Sequence, residues 1–227
     1  MMRYQMLLYT ISGAPRGWRV QMGLLFKGLD YDLRLLQGSA AEHKKEPYLQ
    51  TNPRGTVPTL EHEGHRITDS IGILAWLDRT HPERPLFGSS PEEAATIWSL
   101  TTELEDFLRP AQHAFVFPIL VERKDFAEPE DRAAHQAFAD HLLTEFQNLE
   151  DRLADASFLI GDAPSAADAV AYPEVRLIGR LREKQPQTAE QFGYHTFPEQ
   201  FPRIAAWQAR IEQMPGYHQS LPHHWSN

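Results

Sequence analysis

Apolar residues in the first third of the chain change their period several times, and each change predicts an element. Residues 4–10 form a short, mostly apolar run that reads as a buried strand. Ser12-Gly13-Ala14-Pro15 breaks it, and Pro15 suits the first turn of a helix running to about Lys27. Gly28 ends that helix, and Tyr31, Leu33 and Leu35 then alternate as a second strand. The polar stretch 39–50 predicts a short irregular helix. Two further strands are expected at 57–60 and 66–68, joined by a turn at Glu63-Gly64. Asp69 or Ser70 can cap the next helix, where Ile71, Leu74 and Leu77 recur at helical spacing. The order is βαβ followed by αββα, which predicts a mixed four-stranded sheet in an α/β domain.

Past residue 82 the pattern changes. A proline-rich stretch from His81-Pro82 to Ser90-Pro91 reads as a domain boundary, so we expect an α/β domain at 1–82, a linker at 83–90 and a second domain at 91–227. That second domain shows no convincing strand. Ile97, Leu100, Leu104 and Phe107 mark one helix, which Pro110 is expected to kink. Phe138, Leu142, Phe146, Leu149 and Leu153 mark another, and Ile204, Trp207 and Ile211 a late one. The second domain is therefore predicted to be all-α.

Composition narrows the function. With 227 residues, 41% hydrophobic and 23% charged, the chain is ordinary globular material. A formal net charge of -9 disfavours a broad grip on nucleic acid or anionic lipid. Cysteine is absent, which removes disulfides, thiolate metal sites and every cysteine nucleophile. Of the 11 histidines, His62 and His65 have the spacing nearest to a ligand pair, but they flank Glu63-Gly64 and read as a solvated hairpin turn; no metal is expected. No apolar run reaches the ~18 residues of a membrane span. Met1-Met2-Arg3 leads straight into the first strand without a signal-peptide layout, which reads as cytoplasmic.

The most specific local string is Asn52-Pro53-Arg54-Gly55-Thr56-Val57-Pro58. A proline entering a strand removes a ladder donor. A trans proline at a strand start explains it locally. So does a cis Val57-Pro58 bond that turns the Val57 backbone to a cleft, where it could pair with an extended peptide. Asp69-Ser70 opens a helix whose free N–H groups suit a carboxylate, and a plain cap explains the pair equally well. Ser165-Ala166-Ala167-Asp168 has capping-box spacing, a structural signal in which Asp168 takes the usual Glu position.

Taken together, the Asn52–Pro58 string, Thr68-Asp69-Ser70-Ile71, and Ile160-Gly161-Asp162 followed by Ser165-Ala166-Ala167-Asp168 resemble the cytosolic glutathione transferases of theta- and zeta-like type over nearly the whole chain. That resemblance implies a thioredoxin-like first domain, glutathione as substrate or cofactor, and a homodimer formed through the helix after Ser70 and the first helix of the second domain, with Trp76 and Trp98 as candidate contacts. It implies a cis Val57-Pro58 bond, with the Val57 backbone holding the cysteinyl part of glutathione. It also implies that Ser70 receives the γ-glutamyl carboxylate, that Asp69 receives the ammonium, and that His43 and Lys44 lie near the glycine carboxylate.

In one respect the chain departs from the family. Aligning Trp18-Arg19-Val20 with zeta-like members puts Ala14 or Pro15 where many subclasses carry a catalytic serine or cysteine. Neither side chain donates a hydrogen bond. Ser12, Arg16 and Thr10, in that order, are the candidates to steady the thiolate. His113, Phe115 and Phe117 are the candidate wall for a small apolar electrophile. The expected activity is glutathione conjugation. The alternatives are a binding or scaffold protein that has lost the chemistry, and a zeta-like isomerase. The segment 215–227, with Tyr217, His223, His224 and Trp225, could cover the cleft or lie on the surface.

Overall fold

The computed structural model describes residues 6–124 and 126–225. The chain divides into two compact units, 1–94 together with 213–227, and 95–212.

In the first unit, β1 (Met6–Thr10), β2 (Tyr31–Leu35), β3 (Thr59–His62) and β4 (His65–Thr68) form one sheet in the order β2-β1-β3-β4. β1 is parallel to β2 and antiparallel to β3, which is antiparallel to β4. Between the strands lie α1 (Pro15–Lys27), a 3-10 turn at Glu42–Lys44, α2 (Tyr48–Thr51) and α3 (Ser70–Thr80). The topology is thioredoxin-like. Tyr4, at the expected start of the first strand, lies outside the described residues.

Alternation along β1 decides which side faces which layer. Met6 and Leu8 point to a core shared with Val20 and Leu24 of α1, Leu60 of β3, and Ile73 and Leu77 of α3. Tyr9 points the other way and meets the ring of Tyr48 on α2, with centroids 5.8 Å apart. α1 ends as expected, Gly28 taking φ 66° and donating its N–H back into the helix, a conformation that costs L-residues with a Cβ. β3 starts two residues later than expected, because Pro58 has no N–H for the ladder. The connector is held down: Leu86 and Phe87 are buried, and Lys27 Nζ donates to Arg84 O at 2.6 Å. At the chain's other end α11 (Tyr217–Ser220) packs on α1 with Tyr217 buried, so residues 213–227 join the first unit.

The rest is helical: α4 (Pro91–Glu103), which spans the boundary between the units, a π-helical turn at Leu104–Leu108, α5 (Arg109–Leu120), α6 (Pro129–Arg152), α7 (Ala166–Lys184), α8 (Pro186–Gln191), α9 (Phe197–Gln200) and α10 (Pro202–Glu212). At the π turn the apolar stripe differs from the expected one. Leu108, four residues after Leu104, takes the buried side, and Phe107 is left 54% exposed. The turn also meets Pro110 at the start of α5, where the missing N–H is absorbed by a helix junction. On α6, Phe138 is likewise exposed and His135 takes an inward position. Asp168, at the third position of α7, is buried and accepts from Leu159 N, Ser165 N, Ser165 Oγ and Trp207 Nε1 at 2.8–2.9 Å. Burial pushes its carboxyl above the usual range, and these donors pull it back.

Candidate functional site

Sheet register gathers the candidate residues. Tyr9 stands opposite Thr59, and Thr59 opposite Thr68, so these three lie in one row across β1, β3 and β4. β1 and β4 run the same way and β3 runs against them. Ser12, just after β1, Val57-Pro58, just before β3, and Asp69-Ser70, just after β4, therefore leave the sheet at the same end. β2 also ends there, since Leu35 pairs with Thr10.

The Val57-Pro58 peptide is cis. Ladder pairing begins only at Thr59, and among the described residues the Val57 N–H and C=O make no hydrogen bond. The loop before it is fixed from within. Tyr48 Oη donates to Thr56 O at 2.6 Å, Asn52 Nδ2 donates to the same oxygen at 2.8 Å, and Arg54 N donates to Asn52 Oδ1 at 3.1 Å. Burial raises the Tyr48 phenol above its ordinary value, so it stays protonated. Lys44 Nζ donates to Arg54 O at 3.4 Å, and the His43 carbonyl lies so close to Gly55 that a Cβ there would sit 2.7 Å from it. His43 and Lys44 are thus brought to the Val57 loop. The buried His43 Nδ1 has no hydrogen-bond partner among the described residues.

Asp69 is the N-cap of α3, at φ 78°, with Oδ1 accepting from Ile71 N at 2.9 Å and Gly72 N at 3.2 Å. Ser70 follows as the first residue of α3. It is buried, and its Oγ accepts from Arg19 Nη1 at 3.2 Å. Arg19 is 0% exposed. This arginine of α1, tied to the start of α3, was not among the sequence candidates. A charged residue between Trp18 and Val20, on a helix face that is otherwise core, was the available signal, since a buried guanidinium needs fixed partners.

The first turn of α1 is short of backbone donors. Pro15 has no N–H, and Gly17 N and Trp18 N both donate to Ala14 O at 3.0 Å. Thr10 is removed from the candidates for the thiolate: it is buried under α1, where a Cβ on Gly17 would come within 1.7 Å of its Oγ1. Ser12 and Arg16 stay at the helix start, both half-buried. Ser12 Oγ lies 2.9 Å from His224 Nδ1, so the end of the chain reaches this turn.

In the helical unit, His113 is exposed on α5 and stacks on Phe117, with centroids 4.6 Å apart. Phe115 departs from the expected pocket wall. It is fully buried, stacked on Tyr194 at 4.7 Å and on His135 at 5.3 Å, and offers no surface to a ligand. His62 and His65 pair across the β3–β4 hairpin, and among the described residues no group of three or more His, Asp or Glu is placed to hold a metal. Nor is any described helix long and apolar enough to cross a membrane.

The glutathione S-transferase N-terminal domain family matches residues 8–85, and the corresponding C-terminal domain family matches residues 132–210. This chain belongs to the glutathione S-transferase superfamily. Its relatives come from several classes. A probable maleylacetoacetate isomerase 1 of Drosophila melanogaster is 28% identical over 78% of this chain and 70% of its own length. The maleylacetoacetate isomerase of Dictyostelium discoideum is 26% identical over 95% of this chain and 93% of its own. In fold, a glutathione S-transferase from the Antarctic clam Laternula elliptica superposes with a TM-score of 0.80, at 24% identity, covering 98% of this chain and 94% of that one.

Proposed function

We propose that this superfamily member binds glutathione at the end of its sheet and conjugates the sulfur to a small, largely apolar electrophile. The observation that carries the reading is the convergence of Ser12, Val57 and Asp69-Ser70 at one sheet end, with the Val57 N–H and C=O unused. An extended peptide laid along Val57 would gain the two bonds of an added strand. The start of α3 suits the γ-glutamyl carboxylate, with Ser70 contributing there although its hydroxyl is engaged by Arg19. Asp69 caps α3 through Oδ1, leaving Oδ2 for the ammonium. His43 and Lys44 face the glycine carboxylate. Ser12 donates to the sulfur and Arg16 supplies positive charge beside it. Within the helical unit, the stacked His113 and Phe117 offer an aromatic surface suited to an apolar ligand. Two copies assemble as a dimer, and the compartment is the cytoplasm.

A second reading, isomerisation with glutathione as cofactor, is favoured by one feature: Arg19 of the Trp18-Arg19-Val20 string is built into the site through Ser70. Maleylacetoacetate isomerases among the relatives support it. A scaffold role draws its support from Ala14 and Pro15, which cannot donate to a sulfur.

Calorimetric titration with glutathione, followed by turnover on a panel of aryl halides, epoxides and enones, separates these readings. Binding with loss of free thiol and electrophile supports conjugation. Cis–trans isomerisation of a maleyl-type diketo acid without glutathione consumption supports the second reading. Binding without turnover supports the scaffold, and failure to bind glutathione overturns all three.

A further inference from the structure

The C-terminal segment returns to the turn ahead of α1, within the same unit. Trp225 stands edge-on to Trp18, with ring centroids 5.1 Å apart and planes at 84°. That contact seats the imidazole of His224 on the turn. Gly13 makes room for it: at φ 82°, a Cβ there would lie 2.8 Å from His224 Cε1. The turn thus has both the backbone conformation and the open space that the ring requires.

The two ring nitrogens have different partners. His224 Nδ1 is 2.9 Å from Ser12 Oγ, and His224 Nε2 is 3.1 Å from Trp225 Nε1. An indole N–H only donates, so Nε2 accepts and carries no proton. The single proton of the neutral ring is then on Nδ1, and Nδ1–H donates to Ser12 Oγ. With its oxygen receiving that bond, Ser12 keeps its own hydroxyl proton to give, and a donor whose oxygen is already an acceptor is polarised to give it more strongly.

We infer, on the glutathione-binding reading above, that His224 is a positioning residue: with Trp225 fixing its tautomer, it holds the Ser12 hydroxyl as a donor to the sulfur of bound glutathione. The chain runs Trp225 to His224 to Ser12 to sulfur, each group donating to the next. It answers the loss of a donor at Ala14 and Pro15 with residues from the far end of the sequence.

The test has a ligand-free and a ligand-bound readout. In the free protein, nitrogen-15 shifts of the His224 ring should report a protonated Nδ1 and a bare Nε2; the opposite tautomer overturns the inference. With glutathione bound, thiolate absorbance against pH is compared for wild type, Ser12→Ala, His224→Ala, His224→Asn and Trp225→Phe, with affinities by calorimetry. His224→Ala should raise the thiol pKa by about 0.3–1 unit, roughly two- to tenfold less thiolate below the pKa, with affinity changed less than about twofold. His224→Asn, whose amide N–H stands near the place of Nδ1, should restore most of the thiolate. Trp225→Phe should lose part of it, and His224→Ala should add nothing in a Ser12→Ala background. A His224→Ala titration identical to wild type overturns the inference while leaving glutathione binding intact. So does a gain of thiolate or turnover, which would make the segment a plug. Failure of wild type to bind glutathione removes the reading and the inference together.

Discussion

Replacing Asp168 with alanine should destabilise the protein severely while leaving the chemistry of the sheet-end site alone. The carboxylate is fully buried and takes four hydrogen bonds, from Leu159 N and Trp207 Nε1 on Oδ1 and from Ser165 N and Ser165 Oγ on Oδ2. Alanine strands three of these donors. The Ser165 hydroxyl can rotate to another acceptor, but the two backbone N–H groups and the indole N–H cannot. Each stranded buried donor costs about 1–3 kcal/mol, and the loss of a negative charge in the first turn of α7 adds a few tenths. Some of this is recovered where relaxation admits water, so about 3–5 kcal/mol is expected, a large part of the roughly 5–15 kcal/mol that holds a typical domain together. Trp207→Phe keeps the ring's burial and removes one donor, at about 1–2 kcal/mol. Because the two changes share the Oδ1 bond, the double variant should cost less than their sum. Urea unfolding at pH 7 followed by far-ultraviolet circular dichroism measures both, read as a shift of midpoint at constant slope. A loss under about 1 kcal/mol for Asp168→Ala would refute the account of this carboxylate as the hub of the capping box.

Other outcomes follow from the same geometry. Gly17→Ala places a methyl 1.7 Å from Thr10 Oγ1 and 2.8 Å from Thr10 Cβ, so α1 must shift, at about 1–3 kcal/mol in the same urea assay. Thr10→Ala in that background should recover part of the loss, since only the contact to Oγ1 is relieved. His135 has its pKa lowered by burial, and by Lys124 to a lesser degree, against the raising effect of the hydrogen bond to Phe115 O. Its unfolded form protonates near ~6.5 while the folded form stays neutral, so the unfolded state holds more protons and stability falls as pH drops through that value. Melting temperatures at pH 7.5 and 5.5 should differ more for wild type than for His135→Phe. For assembly, light scattering at micromolar concentration should give a dimer mass, and Trp98→Glu on the exposed face of α4 should lower it; a wild-type monomer mass refutes the dimer.

Local periodicity and turn chemistry were enough to read the sheet, the helical remainder, the start and end of α1 and a cap at Asp69 or Ser70, because these depend on residues a few positions apart. Pro15 fixes a helix start and Gly28 a helix end wherever the chain is placed. The resemblance carried by Asn52–Pro58 and Asp69-Ser70 named candidate residues, and sheet register brings Ser12, Val57 and Asp69-Ser70 to one end of the sheet. The rest was decided over long separations. Phe107 was expected inside and lies outside, because Leu108, the next residue, takes the place that faces the core after Leu104. Thr10 was a candidate for chemistry until α1 was laid over it at Gly17. Phe115 became core because Tyr194, which follows α8 in the chain, stacks on it. Arg19 meets Ser70 across 51 residues, and Ser12 meets His224 across 212. No pattern within one helix or strand encodes such pairs. The sequence determined which residues could donate, accept, bend or fill space. The tertiary structure decided which of them were buried and which were brought to the end of the sheet, since only packing fixes a side chain's partners and its distance from water.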